Sequence, residues 1–286
     1  MFVFAAFLLL GVASCNGERT YKADGEYTAF SIDLHRGAPM VTEVTVTIED
    51  DEIVGYYIDA LQSSLVEGTD GDGNPTYAYE WNAETKKELG DDYGMVDRGG
   101  ASAEWYVQAE RIEAFWLENG YDAVTVDDDN VIDNVTGVTI KDGGYTDLAA
   151  EAVQQAIDGV FKSYTVSEHY NGTANVIFAT MEVDENGDPI SLELDTLQST
   201  IDTTGENPTL VWNEETKQEL GDDYGMVERG GATYEWFEQA NMITDYLLAN
   251  GWEDGFTVQD VDSLSDVTIT TSYYEVVLED VYAKLG

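Results

Sequence analysis

Only one cysteine, Cys15, and two histidines, His35 and His169, occur in 286 residues. A disulfide within the chain is therefore impossible. A cysteine-rich zinc site, an iron–sulfur cluster and a CxxCH haem attachment are excluded with it. Neither histidine has a His or Cys neighbour at ligand spacing, so each reads as an ordinary surface residue. Basic residues are nearly as scarce: 12 Lys and Arg stand against 58 Asp and Glu, for a formal charge of -46. A surface this negative repels nucleic acid and anionic membrane. It suits high salt, multivalent cations or plain solubility. The longest apolar run, residues 2–12, is too short for a membrane span, which needs about 20 apolar residues.

What is present describes folded, duplicated domains. The chain is 43% hydrophobic and 12% aromatic, which argues against disorder and supplies core material for one large or two ordinary domains. The block WNAETKKELGDDYGMVDRGGASAEWYVQAERIEAFWLENGY (81–121) returns as WNEETKQELGDDYGMVERGGATYEWFEQANMITDYLLANGW (212–252), without a gap. Upstream, YYIDALQSS (56–64) matches LELDTLQST (192–200). The spacing divides the chain into residues 20–161 and 162–286, after a leader of residues 1–15.

Each copy reads as a small α+β domain, a β-hairpin or sheet with two packed helices. Alternating apolar and polar residues flank Asp50-Asp51 in one copy and Asn186-Gly187 in the other, predicting hairpins. Trp105, Ala109, Ile112 and Trp116 fall at helical spacing, as do Trp236, Ala240, Ile243 and Leu247, predicting core-facing stripes. Ser102 and Thr233 are the expected N-caps, and Gly120 and Gly251 the expected stops. A second helix follows in each copy, with Thr146 an expected cap and Ser272 with Glu275 an expected capping box.

Few segments carry chemistry. No GxGxxG follows a strand and no phosphate-binding P-loop is present. The acidic loop TDGDGNP (69–75) lacks the glycine and the bidentate glutamate of a calcium loop, so it reads as a solvated hairpin loop with no metal. DNVTGVTI (133–140) is the exception. Gly137 permits a turn closed to residues with a Cβ, and Thr136 and Thr139 place hydroxyls on either side of it. A following helix start would favour a phosphate there. By itself the segment serves equally as a tight turn between a strand and a helix.

Two resemblances bear on function. Residues 1–15, ending in Val12-Ala13-Ser14-Cys15, resemble the signal peptide and lipobox of bacterial lipoproteins. That resemblance implies a lipid on Cys15 and a place on the outer, extracytoplasmic face of the cell membrane. The lack of Lys or Arg before the apolar run departs from the pattern. DNVTGVT resembles the Asp-x-x-Ser/Thr-Gly-Ala-Ser/Thr motif of the FMN-binding domain family. That domain occurs in the sodium-pumping NADH:quinone reductase, in the Rnf complex and, in tandem, in lipoproteins of extracellular electron transfer. Asp133, Thr136, Gly137 and Thr139 match the motif, and Val138 replaces its Ala, adding bulk beside the linkage. The resemblance implies FMN joined through its phosphate to Thr139 by a flavin transferase.

In the second copy Asp262, Ser265 and Thr268 match, but Asp266 replaces the glycine. It adds a negative charge beside Thr268 and asks a residue with a Cβ to take the turn. Thr268 is therefore the weaker acceptor. Tyr93 and Met95, with Tyr224 and Met226, are candidates to pack on the ring or to hold their loop. The implied protein is an electron carrier, not an enzyme, with no catalytic residues. It would take electrons from a membrane quinol-linked donor and pass them to a soluble or mineral acceptor. The alternatives are a flavin-free binding lipoprotein with duplicated recognition domains and an accessory subunit of a membrane redox complex.

Overall fold

The protein is seen as a computed structural model that describes residues 19–168, 172–205 and 208–286. Cys15 and His169 lie outside the described residues. Among the described residues no helix is long and apolar enough to cross a membrane.

The first half runs β1 (Gly25–His35), β2 (Ala38–Glu49), β3 (Glu52–Thr69), β4 (Pro75–Trp81), α1 (Lys86–Leu89), α2 (Trp105–Asn119) and α3 (Tyr145–Asp158). The second repeats it: β5 (Val160–Glu168), β6 (Ala174–Val183), β7 (Pro189–Asp202), β8 (Thr209–Trp212), α4 (Lys217–Leu220), α5 (Trp236–Asn250) and α6 (Ser272–Ala283). Each half is α+β, with a four-stranded antiparallel meander, β1-β2-β3-β4 or β5-β6-β7-β8. Because β5 begins at Val160, a division at 161/162 falls just inside its first residues.

The expected hairpins are present. Asp50 and Asp51 both take positive φ, the twist that a two-residue hairpin turn requires. The Asp24 carboxylate accepts both their backbone N–H groups, at 3.0 and 3.3 Å. Loop 69–75 joins β3 to β4, and Asp70 accepts the N–H groups of Asp72 and Asn74 at 2.9 and 2.8 Å. This carboxylate closes the loop on itself.

Both helical stripes are buried as their spacing predicts, α2 against β3 and α5 against β7. α3 covers β1 and β2, while α6 covers β5 and β6. The caps differ from expectation. Glu104 and Glu235, not Ser102 and Thr233, sit at the N-caps of α2 and α5. Gly144, not Thr146, precedes α3. Thr271, one residue before Ser272, precedes α6, and its hydroxyl donates to Glu275 at 2.9 Å. Gly120 and Gly251 end their helices at φ 93 and 80, where a Cβ would be strained.

The halves share one hydrophobic core. Tyr27 of β1 stacks on Phe161 of β5 with ring centroids 4.2 Å apart. Phe30 meets Tyr164 and Phe178 at 4.9 and 6.0 Å. The end of the chain closes the junction: Glu26 N–H donates to Lys284 O at 2.9 Å, and the Lys284 ammonium donates to Thr28 Oγ1 at 3.1 Å.

Candidate functional site

The motif segment of the first half is a loop closed on itself. Ile132 N–H donates to Ile140 O at 3.0 Å, and Val138 N–H donates to Val135 O at 3.1 Å. Val135 and Val138 are buried in the core, whereas Thr136 and Thr139 are exposed. Val138, beside Thr139, packs its side chain into the core. Asp133 does not reach the threonines. Its carboxylate accepts the Thr125 hydroxyl at 2.6 Å and pins the preceding segment.

The helix that follows begins at Tyr145, beside the expected cap Thr146, and so starts beyond the motif; Thr139 does not stand at a helix start. The positive charge comes from α2 instead. Arg111 Nη1 donates to the Gly137 carbonyl at 2.5 Å. Gly137 has φ +79, and a Cβ there would meet Arg111 Nη1 at 2.6 Å. The positive φ of the turn requires glycine, and a Cβ there would push the exposed guanidinium aside.

Gln108 of α2 fixes the threonine. Its Oε1 accepts Thr139 N–H at 2.7 Å and the Thr139 hydroxyl at 3.2 Å. Its amide donates to Ala103 O at 2.9 Å, and the side chain is fully buried. Gln239 repeats the arrangement, accepting Thr268 N–H at 2.6 Å, the Thr268 hydroxyl at 3.2 Å and Ile269 N–H at 3.2 Å. Each motif threonine is exposed and rigidly held.

The second loop diverges where the first carries charge. Met242 occupies the helical position of Arg111, and Asp266 that of Gly137. Asp266 is not among the non-glycine residues with positive φ, so this turn has another backbone path and asks no left-handed conformation of it. Asp262 and Leu264 lie in a short 3-10 turn, and Ser265 N–H donates to Asp262 O at 3.3 Å.

The block 94–104 forms a second clamp. The buried Glu104 carboxylate accepts Met95 N–H at 2.7 Å and Val96 N–H at 2.9 Å. Glu235 holds Met226 and Val227 at the same distances. Arg98 donates to Asp92 O and Tyr93 O, at 2.8 and 2.6 Å. Tyr93 and Met95 are half-buried on the core.

A lysine lies under each clamp. Lys86 Nζ sits 5.7 Å from the Tyr93 ring and 5.0 Å from Trp105. Lys217 Nζ sits 5.1 Å from both Tyr224 and Trp236. Aromatic faces attract a cation without neutralising it. Burial pulls both ammonium groups down to about 8, opposed by Asp59 and Asp195 respectively.

In the second half, Thr268, Tyr224, Met226, Lys217 and Trp236 line one cavity of about 430 Å³. Burial pushes the Tyr274 hydroxyl up, opposed by Trp236 and Thr196 beside it. On the cavity wall Asn175 Oδ1 is buried without a hydrogen-bond partner among the described residues. An unpaired buried group costs about 1–3 kcal/mol. Tyr93 lines another cavity, of about 680 Å³, with His35, Gln62 and Asn82, and Tyr224 with Gln198 and Asn213 lines its second-half counterpart of about 520 Å³. The strand registers place Met40 and Ala60 where the second half has Asn175 and Thr196.

Gln108, Glu104, Lys86 and their counterparts are absent from the sequence-based site. Their signal was present: polar residues kept identical between copies, at positions the helical period assigns to the interior or next to it. Among the described residues no group of three or more His, Cys, Asp and Glu is placed to hold a metal ion.

No protein-family model matches the chain. No curated protein matches it. A protein of Clostridium thermocellum, solved by solution NMR as a structural genomics target, is 30% identical to it; the match covers 46% of this chain and 91% of that one, with a TM-score of 0.30.

Proposed function

We propose that the protein is a lipid-anchored, extracytoplasmic electron carrier that bears FMN esterified to Thr139. The observation that carries this reading is the setting of Thr139. An exposed hydroxyl is fixed by a buried glutamine, and a guanidinium is seated on the adjacent Gly137 carbonyl. These residues fit a phosphodiester: Thr139 supplies the oxygen, Arg111 the countercharge and Gln108 the position. Attachment needs a flavin transferase and a flavin dinucleotide as donor. The Thr139 Oγ–P bond forms as the pyrophosphate P–O bond breaks, and a nucleoside monophosphate leaves with the hydroxyl proton passing to base.

Bound flavin supplies reversible electron uptake and release. The chain's part is to hold it and exclude wrong geometry, and no substrate turnover is required of it. The donor would be quinol-linked at the membrane and the acceptor soluble or mineral. A lipid on Cys15 would raise the effective concentration at the donor. Thr268 is the corresponding acceptor in the second half, disfavoured by Asp266 and by Met242 in place of the arginine.

Mass spectrometry of the Thr139 and Thr268 peptides, from a host that has the transferase, tests the reading directly. The expected result is an FMN adduct on Thr139, with a flavin-fluorescent gel band lost in Thr139→Ala. A colourless protein from that host would overturn it.

A further inference from the structure

Arginine is scarce in this chain, and four of its five guanidiniums are committed within the fold. Arg19 pairs with Asp24, and Arg111 donates to Gly137 O. Arg98 and Arg229 each close their own loop by donating to two backbone carbonyls. The guanidinium of the fifth, Arg36, makes no hydrogen bond or ion pair with any described residue. Arg36 stands in the turn between β1 and β2, on the wall of the cavity of about 680 Å³ that Tyr93 lines. Two ionisable groups on that wall feel its charge. Burial, Lys86 and Arg36 together push the His35 imidazole down, and Arg36 opposes the rise that burial gives the Tyr93 hydroxyl.

A net charge of -46 repels anions from most of the surface. An open guanidinium on a cavity wall is the exception, and its planar fork matches a carboxylate bidentately. Neutral groups that can donate stand on the same wall. The Asn82 amide and the Ser64 hydroxyl have no hydrogen-bond partner among the described residues. Ala38 and Leu65 supply apolar surface for a short carbon skeleton. The site offers one open positive charge. Lys86 keeps its ammonium against the Tyr93 and Trp105 rings, and Glu67 on the wall opposes a second negative charge. We infer that this cavity binds a small organic monocarboxylate, with its carboxylate paired to Arg36 and its carbon chain against Ala38 and Leu65. The second-half counterpart keeps Gln198, Asn213 and Tyr224 in the places of Gln62, Asn82 and Tyr93. Its arginine, Arg229, is held by Asp223 O and Tyr224 O, so it presents no open guanidinium. The inference needs no flavin and stands whether or not Thr139 carries an ester.

Hexanoate is the probe, with its uncharged analogue hexanamide and inorganic phosphate as comparisons. The full chain, made in a host without flavin transferase, is titrated at low ionic strength and followed by calorimetry and saturation-transfer NMR. Hexanoate is expected to bind, and hexanamide and phosphate to bind roughly tenfold more weakly or worse. Arg36→Gln should lose hexanoate affinity by about tenfold or more. Lys141→Gln removes the same charge from an exposed position off the cavity wall and should lose less than about twofold. Equal binding of hexanoate and hexanamide to the wild type overturns the inference, whatever the variants do. So does a wild type that binds no hexanoate, or an Arg36→Gln variant that binds it unchanged. An equal loss in Lys141→Gln would reduce the effect to the diffuse charge of the chain, and phosphate binding tighter than hexanoate would make the ligand an inorganic anion; either result also overturns it.

Discussion

The side-chain oxygen of Gln108 accepts both the backbone N–H and the hydroxyl of Thr139, at 2.7 and 3.2 Å. One buried amide therefore sets the position of the exposed residue on which the functional proposal rests. Gln108→Leu removes the acceptor and also leaves Ala103 O without its donor. The expected loss is about 1–3 kcal/mol in a urea titration. Gln239→Leu should cost more, because Gln239 also accepts Ile269 N–H at 3.2 Å. Flavin loading on Thr139 should fall in Gln108→Leu and persist in Gln239→Leu. Equal loading of Thr139 in both variants would show that the clamp does not position the acceptor.

Arg111 and Gly137 form a coupled pair. Gly137→Ala must place a Cβ at positive φ and 2.6 Å from the guanidinium. The backbone alone costs about 1–2 kcal/mol, and the guanidinium must swing off the Gly137 carbonyl to admit the Cβ, which loses that hydrogen bond. In an Arg111→Ala background the clash is gone and only the backbone cost remains. A double-mutant cycle by chemical denaturation should therefore give a coupling energy of about 1 kcal/mol. Asp266→Gly, by contrast, should change stability little, because Asp266 does not occupy positive φ. Additive effects of Arg111 and Gly137 would refute the pairing.

How much of this was legible beforehand depends on which force decided each feature. Hairpins and helical stripes follow from local periodicity and turn chemistry, and the Asp50-Asp51 turn and the Trp105 to Trp116 stripe lie where the sequence puts them. The caps differ because Glu104 opens α2 by its backbone alone, its carboxylate making no cap hydrogen bond to the helix and turning to the 94–96 loop. Glu104 collects two N–H groups of a remote loop while opening α2, which Ser102 cannot do. The motif threonines were legible as exposed turn residues. Their supports were not, since Gln108 and Arg111 lie 31 and 26 residues away from the groups they hold. The cavity beside Thr268 was invisible from the motif alone. Its distinguishing residues, Asn175 and Thr196 on strands β6 and β7, are single positions at which the copies differ, Thr196 within a segment that otherwise repeats.

Glu104 also sets up a direct test of the loop clamp. Its carboxylate bridges Met95 N–H and Val96 N–H from a buried position. Glu104→Ala should cost about 2–4 kcal/mol, since hydrogen bonds to a charged acceptor are stronger than neutral ones. Glu104→Gln keeps one acceptor oxygen and should lose roughly half as much. Amide hydrogen exchange at Met95 and Val96 should accelerate in both variants before global unfolding does. Unchanged protection in Glu104→Ala would mean that packing alone holds the loop.

The junction between the halves carries the pH dependence most open to measurement. Burial pushes the Glu43 carboxyl up to about 7; Asp59 and Asp280 add to the rise, while Lys284 and Tyr164 oppose it. In the unfolded chain a glutamate titrates near 4.3. The folded state therefore holds an extra proton between roughly pH 4.3 and 7. That contribution to stability is fully present below pH 4.3 and is lost as pH rises through 7, up to about 4 kcal/mol in all. Glu43→Gln keeps the shape and stays neutral at every pH. Comparing denaturation midpoints at pH 4.5 and 8 removes the shared titration of the other carboxylates. The variant should match the wild type at pH 4.5 and exceed it by a measurable margin at pH 8. A difference that is constant across this range would show that Glu43 stays ionised at the junction, with Lys284 holding its charge.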